Sequence, residues 1–161
     1  MRFKNKYVFV RHAESVVNKN KSNNKLPISR KGVKQAKRLK KNLDTEFDYV
    51  YCSTAKRTEL TANILSDKEP IRDKRLLEKG WGNTEENGME SKEEAQRRVV
   101  SFLSEVETKH SNKKVLVVTH GSLIKLIKEF TDKKEKFENT THHDEVIENC
   151  STYIVEPNEK Q

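Results

Sequence analysis

Two short apolar runs, each stopping at a histidine, constrain this chain more than anything else in it. The first is Tyr7-Val8-Phe9-Val10, followed at once by Arg11-His12 and then Ala13-Glu14-Ser15. The second is Val115-Leu116-Val117-Val118, followed by Thr119-His120-Gly121 and an apolar helical stretch. Apolar runs of this length, rich in β-branched residues and bounded by polar ones, read as buried strands. In open α/β sheets, ligands sit in the crevice beyond the carboxyl ends of the strands. The pattern therefore directs Arg11, His12 and His120 into such a crevice.

The segments between these runs are periodic. Residues 18 to 27 have no apolar period and read as a surface loop. Ser29 is placed to cap a helix on which Val33, Ala36, Leu39 and Leu43 recur at helical spacing. Phe47 to Cys52 reads as a strand ending at Ser53-Thr54, and the next helix carries Arg57 in its first turn. Pro70 to Leu77 reads as a short extended segment ending at Glu78. Residues 79 to 89 hold Gly80, Gly82 and Gly88 and read as an irregular loop. Ser91 and Glu94 form a capping box opening a long helix with the apolar stripe Ala95, Val99, Phe102, Leu103 and Val106. A helix with Leu123, Leu126, Ile127 and Phe130 follows the second run. A polar segment from Thr131 to Asn149 then leads to a last strand, Ser151 to Val155. Strands alternating with helices make a layered α/β sheet the natural architecture. Neither a repeat nor a linker interrupts residues 1–161, which read as one domain.

Composition narrows the partners. The chain has 161 residues and a formal net charge of +8, so it attracts anions. Its lysines are scattered over several helices with no nucleic-acid-binding signature, so the excess reads as a solvated surface. Cys52 and Cys150 are the two cysteines, without metal spacing, which fits a reducing compartment. No apolar stretch is long enough to span a membrane. The N-terminus runs straight into the first strand, leaving no room for a signal peptide. The expected location is cytoplasmic.

At the strand ends the chain collects Arg11, His12, Arg57, Glu78 and His120. Arginine offers phosphate oxygens a planar fork of donors. A neutral imidazole is a nucleophile toward phosphorus, and a carboxylic acid protonates a departing oxygen. Arg11 to Asn18 resembles the signature R-H-[GA]-E-S-x-x-N of the histidine phosphatase superfamily, the phosphoglycerate mutase-like proteins. Leu26 to Ala36 is similar to that family's L-[ST]-x-x-G-x-x-Q-A segment. Ser53 to Ala62 is similar to S-x-x-x-R-x-x-x-T-A. Leu77-Glu78-Lys79-Gly80-Trp81-Gly82 resembles the turn carrying the acid, and Thr119-His120-Gly121 the second histidine motif. The resemblance runs almost from end to end, in the family's order.

The resemblance implies a three-layer α/β/α fold with a mostly parallel central sheet. It implies a phosphomonoester hydrolase working through phosphohistidine on His12, with no metal and no cofactor. Arg11, Arg57, His120 and Asn18 would hold the phosphoryl oxygens, and Glu78 would act as general acid and base. The helix starting near Ser122 would direct backbone N–H groups at the anion. The substrate would be a phosphorylated small molecule or a phosphoprotein, including protein phosphohistidine. Thr84-Glu85 stands where a tryptophan-glutamate pair is common, and the stretch between Glu78 and the capping box is short. A mutase must shield its phosphoenzyme from water, so the short cover favours hydrolysis over the alternative, a phosphoglycerate mutase or bisphosphatase-type phosphotransferase. His142-His143-Asp144-Glu145 has no spacing that would orient ligands and reads as solvated polar residues, not a metal site. Trp81 has no assigned role.

Overall fold

The computed structural model describes residues 1–17, 23–44, 46–80, 90–131 and 146–158. Asn18, Trp81, Thr84, Glu85 and the segment His142 to Glu145 lie outside the described residues, as does most of the loop 79–89. Five strands form one sheet: β1 (Lys6–Arg11), β2 (Tyr49–Cys52), β3 (Ile71–Arg72), β4 (Lys114–Thr119) and β5 (Thr152–Val155). Their order is β3-β2-β4-β1-β5. The first four run parallel, and β5 adds an antiparallel edge to β1. The helices are α1 (Arg30–Asn42), α2 (Lys56–Leu65), α3 (Lys92–Lys109) and α4 (Gly121–Thr131).

The two apolar runs are the interior strands. A parallel strand covered by helices on both faces needs a continuous apolar run. From Tyr7 to Val10 and from Val115 to Val118 every side chain is buried. The period of two then divides them between two cores. Tyr7, Phe9, Val115 and Val117 pack on one side with Val99, Phe102 and Leu103 of α3 and Leu123, Ile124 and Ile127 of α4. Val8, Val10, Leu116 and Val118 pack on the other with Ala62 and Leu65 of α2 and with Leu39 and Leu43. Each such side chain contributes roughly 1.5–3 kcal/mol on full burial. The result is three layers, α/β/α, with a mostly parallel sheet.

The chain leaves β1 toward one face, through α1, and leaves β4 toward the other, through α4. The crevice between their carboxyl ends is the switch point at which open α/β sheets bind ligands. Parallel pairing sets Arg11 opposite Thr119, so His12 and His120 emerge side by side.

The helix starts follow their sequence signals. Ser29 Oγ accepts from Gly32 N–H, and Ser91 with Glu94 forms a reciprocal capping box. Two expectations change in detail. The second strand begins at Tyr49, because Phe47 is buried under α1 and α2 without ladder pairing. The 70–77 segment pairs only at Ile71–Arg72. It then makes a single 3-10 turn, Lys74–Leu76, because the Asp73 carboxylate accepts from Arg75 N–H and grips the Arg75 guanidinium. Among the described residues no helix is long and apolar enough to cross a membrane.

Candidate active site

His12 sits one residue beyond β1, and its backbone N–H still donates to Thr119 O at 3.0 Å. Its Nδ1 lies 2.8 Å from Ala13 O. A carbonyl only accepts, so Nδ1 carries the hydrogen and Nε2 keeps the lone pair. Arg57 Nε donates to that lone pair at 3.1 Å. Burial pushes the His12 imidazole down to about 3, and the charges of His120, Arg57 and Arg11 act in the same direction. His12 is therefore a neutral, oriented imidazole whose unprotonated nitrogen is Nε2.

The turn after His12 is clamped by residues from two helices. Ala13 N–H donates to Thr61 Oγ1, and Glu14 N–H donates to Gln35 Oε1. Ser29 N–H donates to Glu14 O, and Ser29 Oγ–H to Glu14 Oε1. Gly32 is required here by close approach: a Cβ on it would stand 2.2 Å from Glu14 O. Asn149 Nδ2 donates to His12 O from the strand-bound far end of the chain. Gln35 and Gly32 thus shape the turn through their contacts with Glu14.

Arg57 occupies the first turn of α2 and is only 2% exposed. Its Nη2 stands 3.1 Å from His120 Nδ1 and 3.9 Å from Glu78 Oε2. Burial works against the Arg57 charge, while the Glu78 carboxylate supports it. Arg11 Nη1 donates to Ile147 O, and its Nε is buried with no hydrogen-bond partner among the described residues. An orphaned guanidinium donor beside a buried arginine is an arrangement completed by an anion.

His120 is fully buried, with its ring 5.2 Å from that of His12. Its Nε2 meets Ser53 Oγ at 2.9 Å and its Nδ1 meets Glu78 Oε2 at 3.2 Å. Glu78 Oε1 accepts from Ser122 Oγ–H at 2.5 Å and from Ser122 N–H at 3.4 Å. Ser122, expected to face the anion directly, therefore holds Glu78. Burial raises the Glu78 carboxyl, but the contacts with His120 and Ser122 outweigh it and bring it down to about 2. Burial pushes the His120 imidazole down, against the support of Glu78. Glu78 and His120 accordingly titrate as one pair.

Glu90, an acid near Glu78 in sequence, is held by Arg98 through Nε and Nη2 and accepts from Gly80 N–H. That leaves Glu78 as the acid facing the histidines among the described residues. Ring nitrogens of His12 and His120 and the Glu78 carboxylate converge to within 4.8 Å. Arg57 already donates to both rings, so the cluster is arranged around a cation and suits an anion better than a metal. Cys52 is buried beneath the site, and burial pushes its thiol up to about 12, which leaves it inert. Asn149 and the Arg98–Glu90 pair carried no sequence signal of their own, and Thr61 was visible only as the threonine of the Ser53–Ala62 motif. Ser53 was visible only as a motif position.

The chain matches the histidine phosphatase superfamily (branch 1) over residues 7–88 and 79–161. It is 32% identical over 148 residues to phosphoserine phosphatase 1 of Hydrogenobacter thermophilus, covering 71% of this chain and 70% of that protein. Its fold is similar to that of Bacillus stearothermophilus YhfR, with a TM-score of 0.72 and 24% identity over 94% of this chain and 91% of that one. It is also similar to a phosphoserine phosphatase from Entamoeba histolytica solved with phosphoserine, with a TM-score of 0.71 and 18% identity over 93% and 89%. Fold, strand-end residues and family match converge, and the chain belongs to the histidine phosphatase superfamily.

Proposed function

We propose that the protein is a metal-independent phosphomonoester hydrolase that works through a phosphohistidine on His12. The observation that carries this reading is the His12 imidazole, whose Nδ1–H is committed to Ala13 O while Nε2 faces the guanidinium of Arg57. The buried, unsatisfied Arg11 Nε supports an anion in the same place.

In the first step the His12 Nε2 lone pair forms a bond to phosphorus. The bond from phosphorus to the leaving oxygen breaks, and that oxygen takes a proton from Glu78. Arg11, Arg57 and His120 would stabilise the charge that develops on the equatorial oxygens. In the second step water adds to phosphorus and gives a proton to Glu78, and the N–P electron pair returns to His12. Two guanidiniums supply the charge complement of a phosphate dianion, so no step calls for a metal.

Phosphoserine is the first substrate to test, because phosphoserine phosphatase 1 of Hydrogenobacter thermophilus is the relative at 32% identity. Small phosphorylated acids come next, and phosphoproteins after them. The test is phosphate release from a phosphomonoester panel with chelator present, for the wild type and His12→Ala. Release that survives chelator and vanishes in the variant is the expected result. Release that needs a divalent ion, or that persists in His12→Ala, refutes the mechanism. Isomerisation of phosphoglycerates without net hydrolysis would move the protein to the mutase alternative.

A further inference from the structure

The turn that carries Glu78 has little secondary structure of its own to hold it. β3 ends at Arg72, a single 3-10 turn covers Lys74–Leu76, and α3 begins only at Lys92. Its placement must come from hydrogen bonds to other elements. One ion pair at the start of α3 supplies several of them. Arg98 donates from Nε to Glu90 Oε1 at 2.5 Å and from Nη2 to Glu90 Oε2 at 2.8 Å. The Glu90 side chain is only 4% exposed and that of Arg98 13%. Burial works against the Glu90 charge, but Arg98 and the Gly80 N–H outweigh it and hold the carboxyl below its ordinary value.

The pair spends its remaining hydrogen-bonding capacity on the backbone around Glu78. Arg98 donates from Nη1 to Arg75 O at 2.6 Å and from Nη2 to Glu78 O at 3.3 Å. Glu90 Oε2 accepts from Gly80 N–H at 3.3 Å. A planar guanidinium suits this task, because one edge grips a carboxylate while its other hydrogens reach carbonyls. From the opposite side, α4 holds the same turn: Lys79 N–H donates to Ser122 Oγ at 3.1 Å, and Ser122 Oγ–H donates to Glu78 Oε1. A glutamate side chain is long and flexible, so its carboxyl is fixed only when both ends are held. Ser122 holds the carboxyl end, and the Arg98–Glu90 pair holds the backbone end. Between them they leave Glu78 Oε2 3.2 Å from His120 Nδ1 and 3.9 Å from Arg57 Nη2.

We infer that Arg98 and Glu90 are positioning residues for the reaction: their buried ion pair fixes the backbone from Arg75 to Gly80, so that the Glu78 carboxyl is held against His120 and Arg57. The effect on turnover rests on the phosphatase reading, with Glu78 as its acid; the grip on the turn does not. Both residues act through Glu78, so their loss is felt in the step that needs Glu78. A pair that served only the stability of α3 would affect every substrate alike.

The experiment compares kcat/KM for phosphoserine and for p-nitrophenyl phosphate, whose leaving group needs little acid assistance when the phosphoenzyme forms. Arg98→Lys keeps the charge and loses the fork. It is expected to lower kcat/KM on phosphoserine about tenfold or more beyond any loss on p-nitrophenyl phosphate. In a Glu78→Gln background the same substitution is expected to add no further shift in that ratio, because residues that act through one group are not additive. Equal losses on the two substrates overturn the inference, as does an undiminished shift in the Glu78→Gln background. Hydrogen exchange at the Gly80 amide of the full chain reads the grip without turnover. It is expected to quicken about tenfold or more in Arg98→Lys, and unchanged exchange overturns the inference. If Arg98→Lys does not fold, Glu90→Gln is judged by the same readouts, since its one carbonyl oxygen cannot serve Arg98 Nε, Arg98 Nη2 and Gly80 N–H together. If no phosphomonoester is turned over, or Glu78→Gln leaves the substrate ratio unchanged, the reading of the reaction fails while the exchange result still judges the grip.

Discussion

Replacing Gly32 by alanine sets two physical effects against each other. Gly32 lies in the first turn of α1, where alanine gains up to about 1 kcal/mol of helix propensity over glycine. Its new Cβ would stand 2.2 Å from Glu14 O and 3.1 Å from Glu14 C and N. Real Cβ atoms essentially never come within 3.0 Å of another heavy atom, so α1 and the Glu14 backbone must separate by about 0.8 Å. Overpacking of this kind costs about 1–3 kcal/mol, which outweighs the propensity gain at an end position. The expected net destabilisation is about 1–2 kcal/mol, a fall in Tm of roughly 2–8 °C for a chain of this size. Glu14 is two residues from His12, and Thr61, Gln35 and Ser29 hold the same turn. A displacement near 1 Å at a reacting group can lower turnover about 100-fold, so kcat/KM should fall roughly 10–100-fold. Urea unfolding and phosphomonoester hydrolysis measure the two effects separately. A Gly32→Ala protein as stable and as active as the wild type would refute the argument from close approach.

Glu78→Gln should leave kcat/KM for p-nitrophenyl phosphate within about tenfold of wild type while lowering that for alkyl phosphates about 100-fold or more, because in phosphoenzyme formation only the latter needs a strong acid; equal losses of kcat/KM on both would remove Glu78 from the acid role. Arg57→Lys should lower kcat/KM substantially, since a point charge cannot reproduce the contacts of one guanidinium to both histidine rings; steady-state kinetics showing wild-type activity would contradict this. Stability should decline on acidification below the ordinary histidine value near 6.5: His12 in the unfolded chain binds a proton there, while the folded protein resists doing so until about 3. The slope is about 1.4 kcal/mol per pH unit between those values. His12→Gln should flatten urea-derived stability over that window, and an unchanged slope would show that His12 is not buried neutral. Tyr7→Phe removes the hydroxyl that donates to buried Glu107 at 2.7 Å, at the opposite end of the sheet from the site; it should cost about 1–3 kcal/mol of stability and leave kcat unchanged.

The parts of the fold readable in the sequence were those where one physical requirement acts on neighbouring residues. The runs Tyr7–Val10 and Val115–Val118 had to be apolar because both their faces are covered, and the helix starts at Ser29 and Ser91 depend on hydrogen bonds spanning three residues. The candidate site was readable because parallel strands bring their carboxyl ends together, so residues just past those ends meet. Arg11, His12, Arg57, Glu78 and His120 did so. Contacts between distant segments gave no such sign. Ser122 was expected to aim at the anion, but its amide and hydroxyl both turn to Glu78, 44 positions earlier. The shortness of β3 follows from the Asp73–Arg75 clamp, which anchors to Glu105 of α3.

The most direct test of the central claim is to trap the phosphoenzyme. The protein is mixed with phosphoserine or another substrate from the panel, quenched in alkali, digested and analysed for acid-labile phosphate by mass spectrometry. Phosphate on His12, lost in His12→Ala, is the predicted result. Turnover without any phosphorylated histidine, or with phosphate on a residue other than His12, would contradict the account.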